Sequence, residues 1–336
     1  MTVLSMAHFN HGVFVSLSKA VVLGNRTVCD GHEDGYTLRV VTHAHADHLY
    51  GLRNSTRKCD LVVSTRETKD LLSATRRCRT SMIVPVHYNQ TIKIRDEKVT
   101  LIPANHILGS AQVLVERSDG LRCLYSSDFR LDGTPTVKCD VLVLDATYGA
   151  PSNVRPSIDA VHEALITLVE SSLKTGKPVH VFGFIGKVQE VMSFLRRKGI
   201  TVPFVTSPRM YRVSRVYEKY GFTLGEYYSS EGVVGRKILK DDLYIAFFSP
   251  FERTYLKGEF TRMELTGWLF GKPYVERSKN EYVISYSGHS DFNQLIEYAA
   301  KCDPEHVITD NARGGSAIKL AEEIEKRLGI PASPSP

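Results

Sequence analysis

The most constraining feature of this 336-residue chain is the twelve-residue stretch VVTHAHADHLYG, Val40 to Gly51. An apolar run there passes straight into His43, His45, Asp47 and His48, four potential metal ligands within six positions. Alternate residues of an extended chain point the same way, so His43 and His45 can share one metal ion. The turn that follows can present Asp47 and His48 to a second. Surface-loop histidines are the plainer reading, but imidazole and carboxylate at this density, just past a strand end, are uncommon by chance. A chain that begins this way needs a sheet whose strand ends converge on one point.

Composition allows that. With 42% hydrophobic, 24% charged and 9% aromatic residues the chain has the make-up of a globular protein, which excludes fibrous, collagen-like and disordered classes. Its length predicts about two domains or one large one. Apolar runs such as Val141 to Leu144 and Ile245 to Phe248 are far too short to span a bilayer, so no membrane partner is expected. With no signal-like N-terminus either, the expected compartment is the cytoplasm. Six cysteines stand apart without a C-x-x-C pair, which reads as reduced structural thiols and not as a disulfide framework or thiolate zinc knuckle.

In the first half, apolar runs at Leu38 to Val41, Val99 to Ala104, Ala111 to Val115, Leu121 to Tyr125 and Val141 to Leu144 predict strands. After Tyr148 a link with Pro151 and Pro156 leads into a helical stripe of Ile158, Val161, Leu165, Leu168 and Val169, where a second domain is expected to begin. Strand-like Val179 to Phe184 and helical Val188 to Arg197 then give a βαβ texture. Towards the end the first pattern returns: a strand at Tyr282 to Tyr286, Ser290 as cap of a helix over Phe292 to Ala300, a strand at His306 to Thr309, and a helix from Ser316 to Leu328 closed by Gly329. Pro331 to Pro336 reads as a loose tail.

The net charge is +6, and the window Lys187 to Lys219 carries eight basic against two acidic residues, enough to account for all of it. A basic face with Lys187, Arg209, Arg212 and Arg215, interleaved with Tyr211, Tyr217 and Tyr220, suits an acidic polymer through phosphate contacts and base stacking. Arg53 to Arg79, eight basic against three acidic, could extend it. In GFIGK, residues 183 to 187, a strand-to-helix turn can offer backbone N–H groups and Lys187 to a phosphate. The Walker spacing fails, because Gly183 is too close and Val188 lacks a hydroxyl.

H-x-H-x-D-H after a hydrophobic strand resembles the signature of the metallo-β-lactamase fold, and later parts of that pattern follow in order. His106 in PANHILGSAQV resembles the family's later ligand of the first metal, and Asp128 in LYSSDFR the carboxylate bridging both. Asp30 in TVCDGHE resembles the early Asp that orients the histidine cluster. The chain further resembles the β-CASP branch of nucleases: LVLDATYGAP is similar to its first added motif, with Asp145, and SYSGHSDF to its second, with His289. The roughly 140 residues between them match the length of the cap that this branch inserts over the active site. The resemblance thus implies an αββα sandwich with an inserted α/β cap, divided as 1–155 for the first part of the metallo-β-lactamase domain, 156–280 for the β-CASP cap and 281–336 for the return segment and tail.

It also implies one or two zinc ions, with manganese or magnesium as alternatives, and in-line hydrolysis of a phosphodiester. Asp47 would orient or deprotonate the attacking hydroxide. His289 would contact the scissile phosphate and protonate the leaving group, with Asp145 orienting a histidine from behind. LDATYGAP, YSSDFR, ANHILGSAQV and FIGKVQE are most similar to DNA-processing members, the Artemis and cross-link-repair nucleases and the ligase-associated exonucleases. A DNA repair or end-processing exonuclease is therefore expected. An RNA-processing or RNA-decay nuclease is the alternative, and a non-catalytic nucleic-acid-binding partner a further one. A small-molecule metallo-hydrolase would leave Asp145, His289 and the insertion without purpose. The third added motif departs from the pattern: where RNA-processing and ligase-associated members carry histidine and the Artemis group valine, HVITDNAR places Asn311, with Asp310 beside it. Asn is a poor zinc ligand, so the second metal would depend on Asp310 or on Asp47, His48 and Asp128 alone.

Overall fold

Val141, Leu142, Val143 and Leu144 are all buried, yet they enter two different cores. Successive side chains of a strand point to opposite faces, so a continuous apolar run marks a strand covered on both sides. Val141 and Val143 join Leu38, Val40, Val63, Leu101 and Val113 in one cluster. Leu142 and Leu144 pack with Leu124, Phe292, Leu295, Leu320 and Ile324 in the other. This alternation makes a layered sandwich.

The computed structural model describes residues 12–76, 78–241, 243–252 and 258–335. The chain divides into two compact units, Met1–Asn153 with His289–Pro336, and Val154–Gly288. In the first unit one six-stranded sheet runs in chain order: Phe14–Val15, Val21–Val22, Thr27–Cys29, Leu38–Val40, Leu61–Thr65 and Ile83–Val86, parallel from the third strand onwards. The seven-stranded sheet facing it has the order Ala332–Ser335, His306–Asp310, Val141–Leu144, Arg122–Tyr125, Ala111–Arg117, Glu97–Pro103, Thr91–Ile94. Its first four strands are parallel and the rest antiparallel. Helices Phe292–Cys302 and Ala317–Leu328 cover the outer face of the second sheet, and Leu52–Lys58 and Arg66–Thr75 pack on strands of the first. The result is a helix-sheet-sheet-helix sandwich.

Two local readings change. Residues 332–335 are not a loose tail. They pair in parallel with His306–Asp310, and Ser335 Oγ accepts from Val15 N at 3.1 Å. Proline is tolerated there because the strand is an edge, where a missing N–H has no ladder partner to lose. The helix at Phe292 is capped by Asp291 and not by Ser290. Asp291 accepts from Gln294 N at 3.0 Å while Gln294 Oε1 accepts from Asp291 N at 3.1 Å, a reciprocal capping box. Ser290 donates instead to the Phe129 carbonyl.

The second unit holds a seven-stranded sheet in the order Tyr227–Ser229, Phe204–Thr206, Ile245–Phe248, Val179–Phe182, Thr261–Thr266, Glu281–Ser285, Tyr274–Ser278. All pairs are parallel except the last. The helix Ile158–Lys174 is capped by Ser157, whose hydroxyl accepts from Ala160 N, and it buries Val161, Leu165 and Val169 at helical spacing. Gly186, at φ +94°, turns the chain into the helix Lys187–Arg197, a conformation that L side chains rarely adopt.

Candidate metal centre

Parallel strands of an α/β sheet deliver functional groups at their carboxyl ends. In the first unit Asp30 follows Thr27–Cys29, His43 follows Leu38–Val40, Asp128 follows Arg122–Tyr125 and Asp145 follows Val141–Leu144. His106 comes from the connection between Glu97–Pro103 and Ala111–Arg117, and His289 precedes the helix Phe292–Cys302. These side chains converge although the sequence separates them by up to 259 positions, from Asp30 to His289.

Asp128 Oδ2 is the common point. It lies 3.5 Å from His43 Nε2, 3.2 Å from His48 Nε2, 3.6 Å from His106 Nε2 and 3.7 Å from His289 Nε2. His45 Nδ1 lies 3.2 Å from His43 Nε2 and 3.0 Å from His106 Nε2. Three imidazole nitrogens on one tetrahedral zinc, each about 2.0–2.1 Å from it, would stand roughly 3.3–3.4 Å apart. The observed spacing is close to that. His43, His45, His106 and Asp128 therefore form one group able to hold an ion, and Asp47, His48 and Asp128 a second that shares the same carboxylate. Asp47 is the exposed member, with its carboxylate 3.8 Å from His48 Nε2.

A buried polar atom without a partner marks where something else belongs. His48 Nε2 is fully buried with no partner that meets hydrogen-bond geometry, and Asp128 Oδ2 stands 3.2 Å away as an ion-pair contact. The donor set of imidazole nitrogens and carboxylate oxygens suits zinc, and also manganese. The residues thus fit a divalent ion on their own geometry.

Behind the cluster, hydrogen bonds fix each ring. Asp30 Oδ2 accepts from His48 Nδ1 at 2.7 Å and from Thr42 Oγ1 at 2.5 Å, and Asp30 Oδ1 accepts from Thr42 N at 2.9 Å. With its hydroxyl proton on Asp30, Thr42 Oγ1 can accept from His43 Nδ1 at 3.1 Å, which leaves the His43 Nε2 lone pair directed inward. Ser127 Oγ also donates to Thr42 Oγ1. On the other side Asp145 Oδ2 accepts from His289 Nδ1 at 2.9 Å, while its second oxygen accepts from the N–H and hydroxyl of Thr147. That assigns the proton to His289 Nδ1 and turns Nε2 towards Asp128.

Charge in the centre is uneven. Burial, reinforced by the neighbouring His48, holds the His43 imidazole well below its ordinary value, so it is neutral. Burial would lower His48 too, but Asp128 and Asp30 on either side outweigh it and push its pKa up to about 10. Burial would raise the Asp128 carboxyl, yet His48, His289 and His43 hold it well below the usual range. Asp30 is likewise lowered, His48 overcoming the cost of burial. The pocket draws positive charge towards His48.

Asp310 does not join the cluster. Its Oδ2 accepts from Arg313 Nη1 at 2.5 Å and its Oδ1 from Ala312 N at 2.8 Å, so both oxygens are engaged. Among the described residues neither Asp310 nor Asn311 belongs to a potential ion-binding group. Lys187, Arg209, Arg212 and Arg215 lie in the second unit, on the helices Lys187–Arg197 and Pro208–Lys219. Of these Arg215 is exposed, with Glu218 Oε2 at 2.7 Å. The tyrosine reading is corrected at one position: Tyr217 is buried in the core face of its helix, so it offers no stacking surface. Arg196 also leaves the basic face, because its guanidinium donates to the carbonyls of Ile200, Val202, Leu224 and Glu226.

Sequence reasoning missed four residues that build the centre: Thr42, Ser127, Arg39 and Arg313. Thr42 and Ser127 immediately precede ligand candidates and were readable by adjacency. Arg39, fully buried, donates to the His48 carbonyl at 3.0 Å and the Tyr50 carbonyl at 3.3 Å. Its signal was a lone arginine inside the apolar run Leu38 to Val41.

A sandwich of this layering, with a His/Asp centre at its strand ends, is the metallo-β-lactamase fold. No family model matches the chain. An uncharacterised protein encoded in the lig 3′ region of Acidianus ambivalens is 40% identical over 138 residues, covering 40% of this chain and 98% of that protein. A probable DNA ligase of Opitutus terrae is 28% identical over 88% of this chain, which spans only 30% of the ligase. The DNA cross-link repair protein SNM1 of Arabidopsis thaliana is 26% identical over 86% of this chain and 64% of its own length. An RNase J-like protein of Methanocaldococcus jannaschii is 24% identical over 87% of this chain and 85% of its own. A crystal structure of an Enterococcus faecalis V583 protein of unknown function superposes with TM-score 0.63 over 90% of this chain and 80% of that one at 13% identity, a likeness of fold. The chain belongs to the metallo-β-lactamase-fold nucleases of the β-CASP branch, whose related members are metal-dependent nucleases. Among the described residues no helix is long and apolar enough to cross a membrane.

Proposed function

We propose that this chain is a zinc-dependent nuclease that hydrolyses DNA phosphodiesters at strand ends, in repair or end processing. The observation that carries the reading is the convergence of four imidazole nitrogens on Asp128 Oδ2 within 3.2–3.7 Å, with His45 Nδ1 closing the ring. DNA is favoured because relatives covering most of this chain include a probable DNA ligase and a DNA cross-link repair protein. The RNase J-like relative supports the RNA reading as the alternative.

In this reading His43, His45, His106 and Asp128 hold one ion, and Asp47, His48 and Asp128 the second. Zinc bound there supplies Lewis-acid polarisation of a phosphoryl oxygen and offsets the charge that develops on it. Asp47, accessible and at the edge of the cluster, orients the attacking water and accepts its proton. His289, its Nδ1–H held by Asp145, acts as the imidazolium: with a second proton on Nε2 it binds the scissile phosphate or hands that proton to the leaving oxygen, and Asp145 stabilises the charged ring. Asp30 and Thr42 keep His48 and His43 in the tautomers that direct Nε2 inward. In the second unit Lys187, Arg209, Arg212 and Arg215 are assigned to the phosphate backbone.

The test is digestion of one sequence as 5′-phosphorylated single-stranded DNA and as RNA, with zinc, manganese or magnesium, and with Asp47→Ala as control. Product ladders on DNA that vanish in Asp47→Ala are expected. Cleavage of RNA alone would move the reading to transcript processing, and hydrolysis retained by Asp47→Ala would overturn the mechanism.

A further inference from the structure

Arg313 is the most heavily engaged side chain near the centre that the mechanism leaves without a part. Its side chain is 6% exposed, and its guanidinium joins the neighbouring Asp310 to two segments distant in sequence. Nη1 donates to Asp310 Oδ2 at 2.5 Å, and Nη2 donates to the carbonyls of Lys19 at 2.8 Å and Asp30 at 3.3 Å. Two of these anchor points have unusual backbone: Lys19 sits at φ +64° and Asp30 at φ +53°, left-handed conformations that a non-glycine residue adopts at a cost. Their segments are pressed together, since a Cβ on Gly31 would come within 2.3 Å of the Ala20 backbone. Surroundings must hold such a junction in place, and the guanidinium grips the carbonyls on both of its sides.

The junction matters because the Asp30 side chain is the bracket of the His48 arm: one carboxylate binds Thr42 twice and His48 Nδ1 once. A turn of the Asp30 peptide would swing all three bonds. The loop that carries Arg313 also ties down the opposite wall. Ser316 N donates to the Ala146 carbonyl at 2.9 Å, and a Cβ on Gly315 would meet that same oxygen at 2.3 Å. Ala146 directly follows Asp145, the partner of His289. Residues 311–316 thus form a strap that touches the backbone at both acids behind the cluster.

We propose that Arg313 is a positioning residue of the metal centre: by gripping the Lys19 and Asp30 carbonyls it fixes the Asp30 carboxylate and hence the aim of His48 Nε2, while Asp310 serves as its counter-ion and not as a metal ligand. The inference rests on the metal-centre reading above. It gives the segment HVITDNAR a part in the centre without requiring Asn311 to ligate. It also divides the bracing of the loop between two buried arginines, with Arg39 holding the carbonyls at positions 48 and 50 and Arg313 those at 19 and 30.

The experiment uses the zinc-loaded 336-residue chain and the variants Arg313→Ala, Arg313→Lys, Asp310→Asn and, as the ligand-loss reference, Asp128→Asn. Metal content is measured by atomic emission after dialysis against graded chelator, beside thermal unfolding and kcat and KM on an oligonucleotide. Removing a group that orients a ligand from behind typically weakens metal affinity 10–100-fold. Arg313→Ala should therefore release zinc at a chelator concentration at least about tenfold lower than wild type, with kcat falling and KM nearly constant. Arg313→Lys should fall between, since an ammonium can pair with Asp310 but cannot fork to two carbonyls as well. Asp310→Asn should melt earlier yet keep zinc within about twofold of wild type.

Zinc released from Asp310→Asn as readily as from Asp128→Asn would make Asp310 a ligand and overturn the proposal. So would a folded Arg313→Ala chain with wild-type zinc retention. If Arg313→Ala does not fold, Arg313→Lys decides: retention equal to wild type overturns the proposal and an intermediate value upholds it. Should the wild type cleave neither DNA nor RNA, the proposed activity fails, while the zinc-retention measurements still judge Arg313.

Discussion

The two units place polar groups at their sheets in opposite ways. In the first, the strand ends carry buried His and Asp side chains whose outward atoms converge and whose inward atoms are each held by a neighbour. The second unit keeps its interior mostly apolar, uses a buried-stem arginine such as Arg196 to satisfy backbone carbonyls, and exposes Arg215 on a helix face. Precision is thus concentrated in the first unit and adaptable charge in the second. Under the proposed function that is the division expected, with one part doing chemistry at a fixed point and the other following a flexible, negatively charged polymer. Arg196 and Arg215, both in the basic window, differ in the same way: one is tied to four backbone carbonyls and the other is exposed beside Glu218.

The largest break comes at the point of convergence. Asp47→Ala should lower turnover about 10²–10⁴-fold, the range for loss of a general base, with oligonucleotide affinity little changed in a filter-binding or anisotropy assay. A variant that bound weakly but turned over normally would place Asp47 with the nucleic acid instead of the chemistry. Next, Asp30→Asn should reduce zinc retention about 10–100-fold without removing a proposed ligand, by loosening the hold on His48, read by chelator competition.

In the second unit the buried His180 offers a sharper probe through pH. Its Nε2 faces the Tyr244 hydroxyl at 3.1 Å, its ring stacks on Phe260, and Nδ1 has no hydrogen-bond partner. Burial, helped by Arg262, lowers its pKa to about 4. The unfolded chain takes up this proton near pH 6.5, but the folded chain takes it up only near pH 4, so stability is complete above 6.5 and falls as pH drops towards 4. About 3 kcal/mol should be lost across that window. Urea unfolding measured from pH 7 to 4 should show the slope, and His180→Phe should flatten it. An unchanged slope in that variant would assign the acid sensitivity elsewhere.

Within the basic window the comparison can be made residue against residue. Arg196→Ala strands four carbonyls and should cost about 2–4 kcal/mol by denaturant unfolding. Arg215→Ala should leave the melting temperature unchanged but reduce the salt dependence of nucleic-acid binding by about one phosphate contact. If Arg215→Ala binds with wild-type salt dependence, the helix Pro208–Lys219 is a solvated face only.

Legibility followed sequence distance. The cluster His43 to His48 stood in a single strand-loop and could be read from its spacing, whereas His106, Asp128, Asp145 and His289 were named only through the family resemblance of the motifs around them. Ends of elements were less legible. Asp291 and Ser290 are both good cap residues, and only the reciprocal bonds with Gln294 decide between them. Pro334 and its serines read as a tail because an edge strand draws its stability from a neighbour and not from its own composition. Tyr217 and Arg196 had the residue types of a nucleic-acid surface, but burial placed one in a core and hydrogen bonds tied the other to the backbone.

The sequence by itself determined the layers, through apolar runs of strand length and helical stripes, and it determined the supply of ligands, because metal chemistry requires particular atoms at short spacing. The tertiary structure decided which acids face the cluster and which face an arginine. Asp30 and Asp310 each end a strand of the same unit, yet one carboxylate holds His48 and the other Arg313. That choice depends on strand order and on a loop, residues 311–316, that closes on segments nearly 300 positions away. Long-range closure of that kind leaves no local periodicity, so only the folded chain records it.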